Sequence, residues 1–290
     1  MQIRILGSAA GGGVPQWNCN CANCRSARKS GRFLTQSSAA VSSDGKNWLL
    51  LNASPDFVFQ FASFPPLTPR SENLRGSAVQ AVVLTDGEMD HVAGLLSLRE
   101  QKSLRLICTN AVKNLLTKEF SLLPTLEKYC RIRHSTFPVQ IAGIRISALE
   151  LATDKAPPYA RRPAQRGEVV GLRLEANDRS FVYLPGLPAI NQAVNEFVAG
   201  CDCLLVDGTF WSQREMISLN MSKRMARDMG HVPIGGAGGS LEWLQSLKIP
   251  RKIYTHINNT NPILQKNSRE RKMVERAGVE ISHDGMDVCL

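Results

Sequence analysis

An αββα sandwich, that is, an α/β (α+β) fold of two mixed β-sheets with helices on the outer faces, is the fold class this sequence predicts. Three observations predict it. Strand patterns open each half of the chain, helices interleave later, and hairpin turn signals outnumber what a doubly wound parallel sheet needs. The chain has 290 residues, 43% hydrophobic and 21% charged, which suffices for a large core. With no solenoid-period repeat and no long linker, residues 1–290 are expected to form one domain.

The elements follow in order. Gln2–Leu6 reads as a first strand running into the glycine-rich turn GSAAGGG. Ser37–Ala53 reads as two strands around an Asp44-Gly45 turn. Ser54 caps the next helix, with Pro55 in its first turn. Val79–Leu84 is an apolar run of buried-strand length, and a helix is expected from about His91 to Arg99. Strand Leu104–Cys108 and helix Ala111–Phe120 come next. Ile144–Leu149, Val169–Glu175 and Ser180–Leu184 are strands, the last two joined through the turn residues Asn177-Asp178. Between the first two, Asp154–Gly167 carries Pro157, Pro158 and Pro163 among arginines and reads as an exposed loop. A helix at about Pro188–Val198 leads to strand Cys203–Val206. The glycine loop Gly235–Gly239 precedes helix Leu241–Leu247, strand Lys252–Thr255, a helix near Ser268–Arg276 and a final strand.

Composition narrows the function. No apolar run approaches the roughly 20 residues that span a bilayer, and the start of the chain is too short in apolar residues for a secretory signal. A cytoplasmic protein without membrane contact is the expectation. The net charge is +10, but the basic residues are scattered and aromatics are only 6%, so no nucleic-acid role is expected. Clusters such as Arg161-Arg162 and Arg269–Lys272 suit an acidic substrate. Of eight cysteines, three form Cys19-x-Cys21-x2-Cys24, thiolates at zinc spacing, in a Cys-rich loop at about 17–25. A structural zinc there needs a fourth ligand, and no further Cys or His lies nearby in sequence. Most of the scattered Cys108, Cys130, Cys201, Cys203 and Cys289 read as buried structural thiols.

The densest chemistry is TDGEMDH, Thr85 to His91, directly after an apolar strand. Strand ends are where side chains converge on a ligand without disturbing a core. Asp90 and His91 offer a hard oxygen and a borderline nitrogen, a pair suited to Fe, Mn or Zn rather than Ca. An acidic loop with Asp90 capping a helix would look the same. The pattern recurs, however: Asp207 ends the run LLVDGTFW, and His256 follows the strand in YTHINNTNP. His231 enters a glycine loop in MGHVPIGG, where it either serves the chemistry or is a packed histidine.

With these segments together the chain resembles the metallo-β-lactamase superfamily, and within it the coenzyme PQQ synthesis protein B family. GSAAGGGVPQWNCNCANC, TQSSAAVSS, LNASPD, TDGEMDHVAGLLSLRE, KAPPY, LLVDGTFW, MGHVPIGG, YTHINNTNP and ISHDGMD carry the likeness, from Gly7 to Asp287. The resemblance implies an αββα sandwich with metal at one edge. It places the superfamily's H-x-H-x-D-H motif on Asp86, Glu88, Asp90 and His91, its bridging carboxylate on Asp207 and its last histidine on His256. The middle histidine falls near Lys155. The first metal position has thus lost its histidines, and Lys155 is expected to pair with Asp86 or Glu88. The second keeps Asp90, His91 and His256, with Asp207 beside them. One metal is therefore expected, and two histidines with a carboxylate describe a non-haem Fe(II) site.

What the resemblance implies for function is pyrroloquinoline quinone (PQQ) biosynthesis through Fe(II)- and O2-dependent hydroxylation of a tyrosine ring. The ring would belong to a Glu-Tyr unit from the precursor peptide. The isolated protein could carry Zn, Mn or Mg instead of Fe(II). His231 and Asp207 are the expected catalytic residues, and Lys155, Arg161 and Arg162 the expected substrate contacts. Related phosphodiesterases use a histidine as the last zinc ligand where this chain has Asn259, leaving Asn259, a water or another side chain to complete the structural zinc. Metal-dependent hydrolysis in the same pathway, and carriage of the quinone or its precursor toward the periplasm, are the alternatives. The expected partners are this small substrate and other PQQ biosynthesis proteins; the oligomeric state is open.

Overall fold

In this computed structural model, residues 1–69 and 74–290 are described. The first half contributes β1 (Gln2–Gly7), β2 (Ser38–Ser42), β3 (Trp48–Leu51), β4 (Val79–Val83), β5 (Ser103–Ile107) and β6 (Arg131–Ser135). The second contributes β7 (Val139–Ile141), β8 (Ile144–Glu150), β9 (Val170–Ala176), β10 (Arg179–Leu184), β11 (Cys203–Asp207), β12 (Arg251–Thr255), β13 (Glu280–Ile281) and β14 (Asp287–Cys289). Two seven-stranded sheets result, ordered β14-β1-β2-β3-β4-β5-β6 and β13-β12-β11-β10-β9-β8-β7. Each is mixed. β1 to β3 pair antiparallel and β3 to β6 parallel, while β7 to β10 pair antiparallel and β10 to β13 parallel.

Side-chain alternation explains why these strands read as unbroken apolar runs. In β2, Ala39 and Val41 face the other sheet while Ala40 faces the outer layer. In β11, Cys203 and Leu205 face inward and Leu204 and Val206 outward. A strand buried on both faces needs apolar residues at every position. The inward series of β11 ends at Asp207, so the same alternation aims a carboxylate between the sheets at their edge.

Helices cover the outer faces: α1 (Ala22–Ser30), α2 (Phe57–Ala62), α3 (Met89–Val92), α4 (Asn110–Asn114), α5 (Leu122–Leu126), α6 (Gln192–Val198), α7 (Glu215–Ser218), α8 (Ser240–Ser246) and α9 (Arg269–Arg276). α2, α4 and α5 pack on the first sheet, and α6, α8 and α9 on the second.

Several elements differ from the sequence reading. The expected helix from His91 to Arg99 is a single α-turn, α3, followed by a tighter 3-10 run over Ala93–Glu100. Tertiary hydrogen bonds impose this: Ala53 donates to the His91 carbonyl, and Gly94 donates back to Ala53. Gly94 must be glycine, because a Cβ there would sit 2.1 Å from the Ser54 carbonyl oxygen. The helix after Ser54 begins only at Phe57: the Ser54 hydroxyl accepts from the Asp56 amide as a cap would, but Pro55 and Asp56 form a turn that closes with the Phe57 amide donating to the Ser54 carbonyl. The helix expected over Ala111–Phe120 widens into a π-turn at Leu115–Glu119. Asn191 caps α6, which starts four residues later than Pro188 suggested. The expected cysteine loop runs straight into a helix, α1, which takes in Cys24. β6 and β7 had no expected counterpart; both are short and partly exposed, with little apolar pattern. Of the scattered thiols, Cys108, Cys130, Cys201 and Cys203 are buried as expected and Cys289 is exposed.

Candidate metal centre

The site lies where β4, β11 and β12 end, at one edge of the sandwich. β11 and β12 run parallel with Asp207 opposite Thr255, so the turns after both strands open on the same side. The glycine-rich turn after β1 joins them through Ala10, which donates to the Ile257 carbonyl, and Ile257, which donates to Ser8. That turn brings Gly11 against the Asp90 carboxylate.

TDGEMDH divides by geometry. Asp86 is buried and accepts from the Thr85 hydroxyl at 2.7 Å, the Glu88 amide at 2.9 Å and His91 Nδ1 at 2.8 Å. Burial opposes its charge, yet the His91 ring and these donors hold its carboxyl below the usual range. A carboxylate on Nδ1 fixes the tautomer and aims Nε2 elsewhere. His91 Nε2 is indeed buried with no hydrogen-bond partner. Glu88 forms an ion pair with Lys155, which arrives from the loop after β8. Of the two pairings expected for Lys155, Glu88 is the one formed.

Opposite, Asp207 accepts from four donors: the Leu187 amide, the Thr209 amide and hydroxyl, and His231 Nδ1 at 2.7 Å. Burial again opposes the charge, and His231 with His256 lowers the carboxyl against it. Thr209 is the hub of this side. Its hydroxyl lies 2.6 Å from Asp207 Oδ1 and 2.7 Å from His256 Nδ1. With one proton, the hydroxyl donates to the carboxylate and accepts from the His256 ring. His256 Nε2 then presents a lone pair, 3.1 Å from Asp90 Oδ2. His256 sits at φ 54°, a left-handed conformation that turns the chain sharply after β12.

Three lone-pair atoms therefore converge: His91 Nε2, His256 Nε2 and an Asp90 oxygen, all within 4.8 Å of one another. Burial opposes the charge on Asp90, but His91 and His256 hold the carboxyl well below its ordinary range. An orphaned ring nitrogen facing a carboxylate and a second ring nitrogen is a donor set that fits a cation. Asp207 groups instead with His231 and His256. The structure therefore does not put Asp207 in one cluster with Asp90 and His91, and its oxygens are already used by four donors.

A cavity of about 290 Å3 opens over these groups, walled by Pro158, Pro185, Pro188 and Phe210. Lys155 and Arg224 bring positive charge to it. Arg161 and Arg162 do not line it. Arg162 is spent on the buried carboxylate of Glu168 at 2.6 Å and on Glu119, and Arg161 is exposed at a left-handed turn. Sequence reasoning passed over Thr209, Arg224 and Tyr159. Thr209 stands two residues after Asp207, which was its only signal. Tyr159 closes the Asp154–Gly167 loop onto the site by donating to the Gly87 carbonyl at 2.6 Å.

The cysteine cluster is a second metal-type site. The sulfurs of Cys19, Cys21 and Cys24 lie within 4.8 Å of one another. The Asn259 amide covers them, its Nδ2 3.3 Å from Cys24 Sγ. The Asn259 side chain thus lies against two of the three sulfurs, within reach of an ion held there. Asn23 of α1 ties the cluster to the His256 loop by donating to the carbonyls of Asn259 and Asn261.

Comparison with known proteins places this arrangement. The model of the Beta-lactamase superfamily domain matches residues 47–257. Coenzyme PQQ synthesis protein B from Methylococcus capsulatus is 43% identical over 305 aligned residues, covering 100% of both chains. The chain belongs to the coenzyme PQQ synthesis protein B family. The family protein from Pseudomonas aeruginosa is 42% identical over the full length of both. The crystal structure of Zn(2+)-bound PqqB from Methylobacterium extorquens superposes with a TM-score of 0.91 at 37% identity, covering 100% of each chain. A diphosphatase from the PhnP family, 20% identical with a TM-score of 0.71 over 100% of this chain and 97% of that one, shares the fold. For the family's site, no helix among the described residues is long and apolar enough to cross a membrane.

Proton competition gives a first test of the ligand set. Burial opposes the charged form of His91, but Asp86 and Asp90 push its pKa up to about 9. In metal-free protein this raised value contributes stability that is complete below 6.5 and lost as pH rises through about 9. A metal ion binding His91 must displace that proton. Loading at pH 7 should release about one proton per ion at the cavity site, seen as calorimetric heats that track the buffer's ionisation enthalpy. Heats independent of buffer would remove His91 from the ligand set.

Proposed function

We propose that this protein acts in PQQ biosynthesis as a mononuclear iron hydroxylase, inserting oxygen into the tyrosine ring of a Glu-Tyr unit from the precursor peptide. Membership of the coenzyme PQQ synthesis protein B family supports the pathway. One observation carries the finer reading. The open donor set of Asp90, His91 and His256 stands beside a position where Lys155 and Glu88 pair with each other. Two-metal hydrolysis needs both positions; a facial pair of histidines with a carboxylate needs one.

Asp90, His91 and His256 would hold the ion, and Fe(II) there would supply dioxygen activation. The chain's own residues do the rest. Asp86 and Thr209 set which ring nitrogens face the ion. Asp207 binds His231 Nδ1, so Nε2 is left to take or return a proton at the substrate's phenol. Lys155 neutralises Glu88, which would otherwise repel an acidic substrate. Arg224, anchored on the Asp228 carbonyl, brings charge for a substrate carboxylate. An external reductant supplies the electron pair that lets the second oxygen atom leave as water. Beyond this substrate, other PQQ biosynthesis proteins are the partners we propose, in the cytoplasm.

The test is isotopic. Protein loaded with Fe(II) without oxygen receives a Glu-Tyr peptide and then labelled dioxygen, and mass spectrometry follows the product. The expected result is a labelled hydroxyl on the ring. Equal turnover with zinc and no oxygen would replace the proposal with hydrolysis. No turnover with any metal, together with tight quinone binding, would replace it with carriage.

A further inference from the structure

Away from the metal cavity lies a larger open groove of about 800 Å3, between α1, the loop after β12 and the start of α9. Its charge is one-sided. Arg32, Lys266 and Arg271 line it, and no carboxylate does. Arg25 and Arg28, on the same helix α1, are spent on loop carbonyls, whereas the Arg32 guanidinium has no hydrogen bond or ion pair among the described residues. Arg271 gives Nε to Glu275 and Nη1 to the Ile263 carbonyl, leaving Nη2 for another acceptor. The groove also meets the N-terminal end of α9, where Ser268 caps the Arg271 amide and the helix dipole is positive.

The walls are not merely a charged surface. Val14, Ala27 and Leu34 form a buried apolar floor. Two buried polar atoms on lining residues lack partners. Asn23 donates both amide bonds to Asn259 and Asn261, which fixes its orientation and leaves Oδ1 unsatisfied. Ser282 Oγ, on a residue 4% exposed, is likewise without a partner. Unsatisfied buried polar groups are uncommon and call for a ligand or water.

We propose that this groove binds an acidic peptide segment. Three cations without a carboxylate select negative charge. An apolar floor suits interleaved apolar side chains. The volume exceeds what a single phosphate fills and lies within the range of ligand clefts. The binding does not depend on the proposed hydroxylation, because it is measured without turnover.

A fluorescent peptide alternating glutamate and leucine, titrated into the metal-loaded full chain, tests this by anisotropy. Its lysine-leucine counterpart and a single-stranded oligonucleotide are titrated alongside. Binding of the acidic peptide is expected to weaken about tenfold in Arg32→Glu/Lys266→Glu, at unchanged metal content and circular dichroism. If the double reversal misfolds, Arg32→Gln/Lys266→Gln gives the same reading at smaller amplitude. Binding unaffected by loss of the charges, no binding of the acidic peptide, or preference for the oligonucleotide would each overturn the proposal.

Discussion

His91→Ala is expected to abolish metal binding in the cavity while the cysteine-bound ion stays. Metal analysis should fall from about two equivalents per chain to about one, because each cluster supplies its own protein ligands. The two clusters share no residue. Asp86→Ala should behave differently. Asp86 touches His91 Nδ1 rather than the converging lone pairs, so its loss frees the ring to rotate without removing a ligand. A drop in metal affinity of about 10–100-fold is the expected scale for losing a carboxylate that orients a ligating ring. If Asp86→Ala removed the ion as completely as His91→Ala, Asp86 would be a ligand and the TDGEMDH division drawn from the hydrogen bonds would fail. The contrast between the variants is more informative than either alone.

The second large effect is expected at the cysteines. Cys24 is wholly buried in the first turn of α1, where an ion held with Cys19 and Cys21 would pin the preceding turn to the helix. Structural zinc contributes folding free energy directly. Cys24→Ser should therefore lose that ion and destabilise the protein by more than about 4 kcal/mol, the range associated with loss of a metal or a buried network. The damage should reach the cavity. Asn23 bonds the Asn259 and Asn261 carbonyls, three and five residues beyond His256, and Gly11 packs on Asp90. Thermal unfolding and hydrogen exchange would read it, with residues 10–30 and 256–261 losing protection together. A melting temperature indifferent to both the substitution and a chelator would show that the thiols carry no structural ion.

Parts of this were legible in one dimension because the relevant physics is local. The mixed-sheet sandwich followed from hairpin signals and from apolar runs too continuous for one-sided strands. The strand-end positions of Asp86, Asp207 and His256 followed from polar residues placed directly after such runs. β6 and β7 escaped, since short edge strands with exposed faces carry little apolar pattern. The helix expected after His91 is cut short because backbone bonds to Ala53, not helical propensity, set its geometry.

By itself the sequence determined the fold class, the metal-type residues and the family, because alternation, turn chemistry and motif spacing are properties of neighbouring residues. Only the tertiary structure decided what each polar group does. Asp86 and Asp90 are four positions apart in one motif, yet one faces a ring nitrogen and the other faces the open donor set. Lys155 took Glu88 rather than Asp86, Arg162 was spent on Glu168, and Thr209 became a hub between Asp207 and His256. The physical reason is the same in each case. A buried polar group must find a partner, and which partner lies within three ångströms is set by how the two sheets stack, not by distance along the chain.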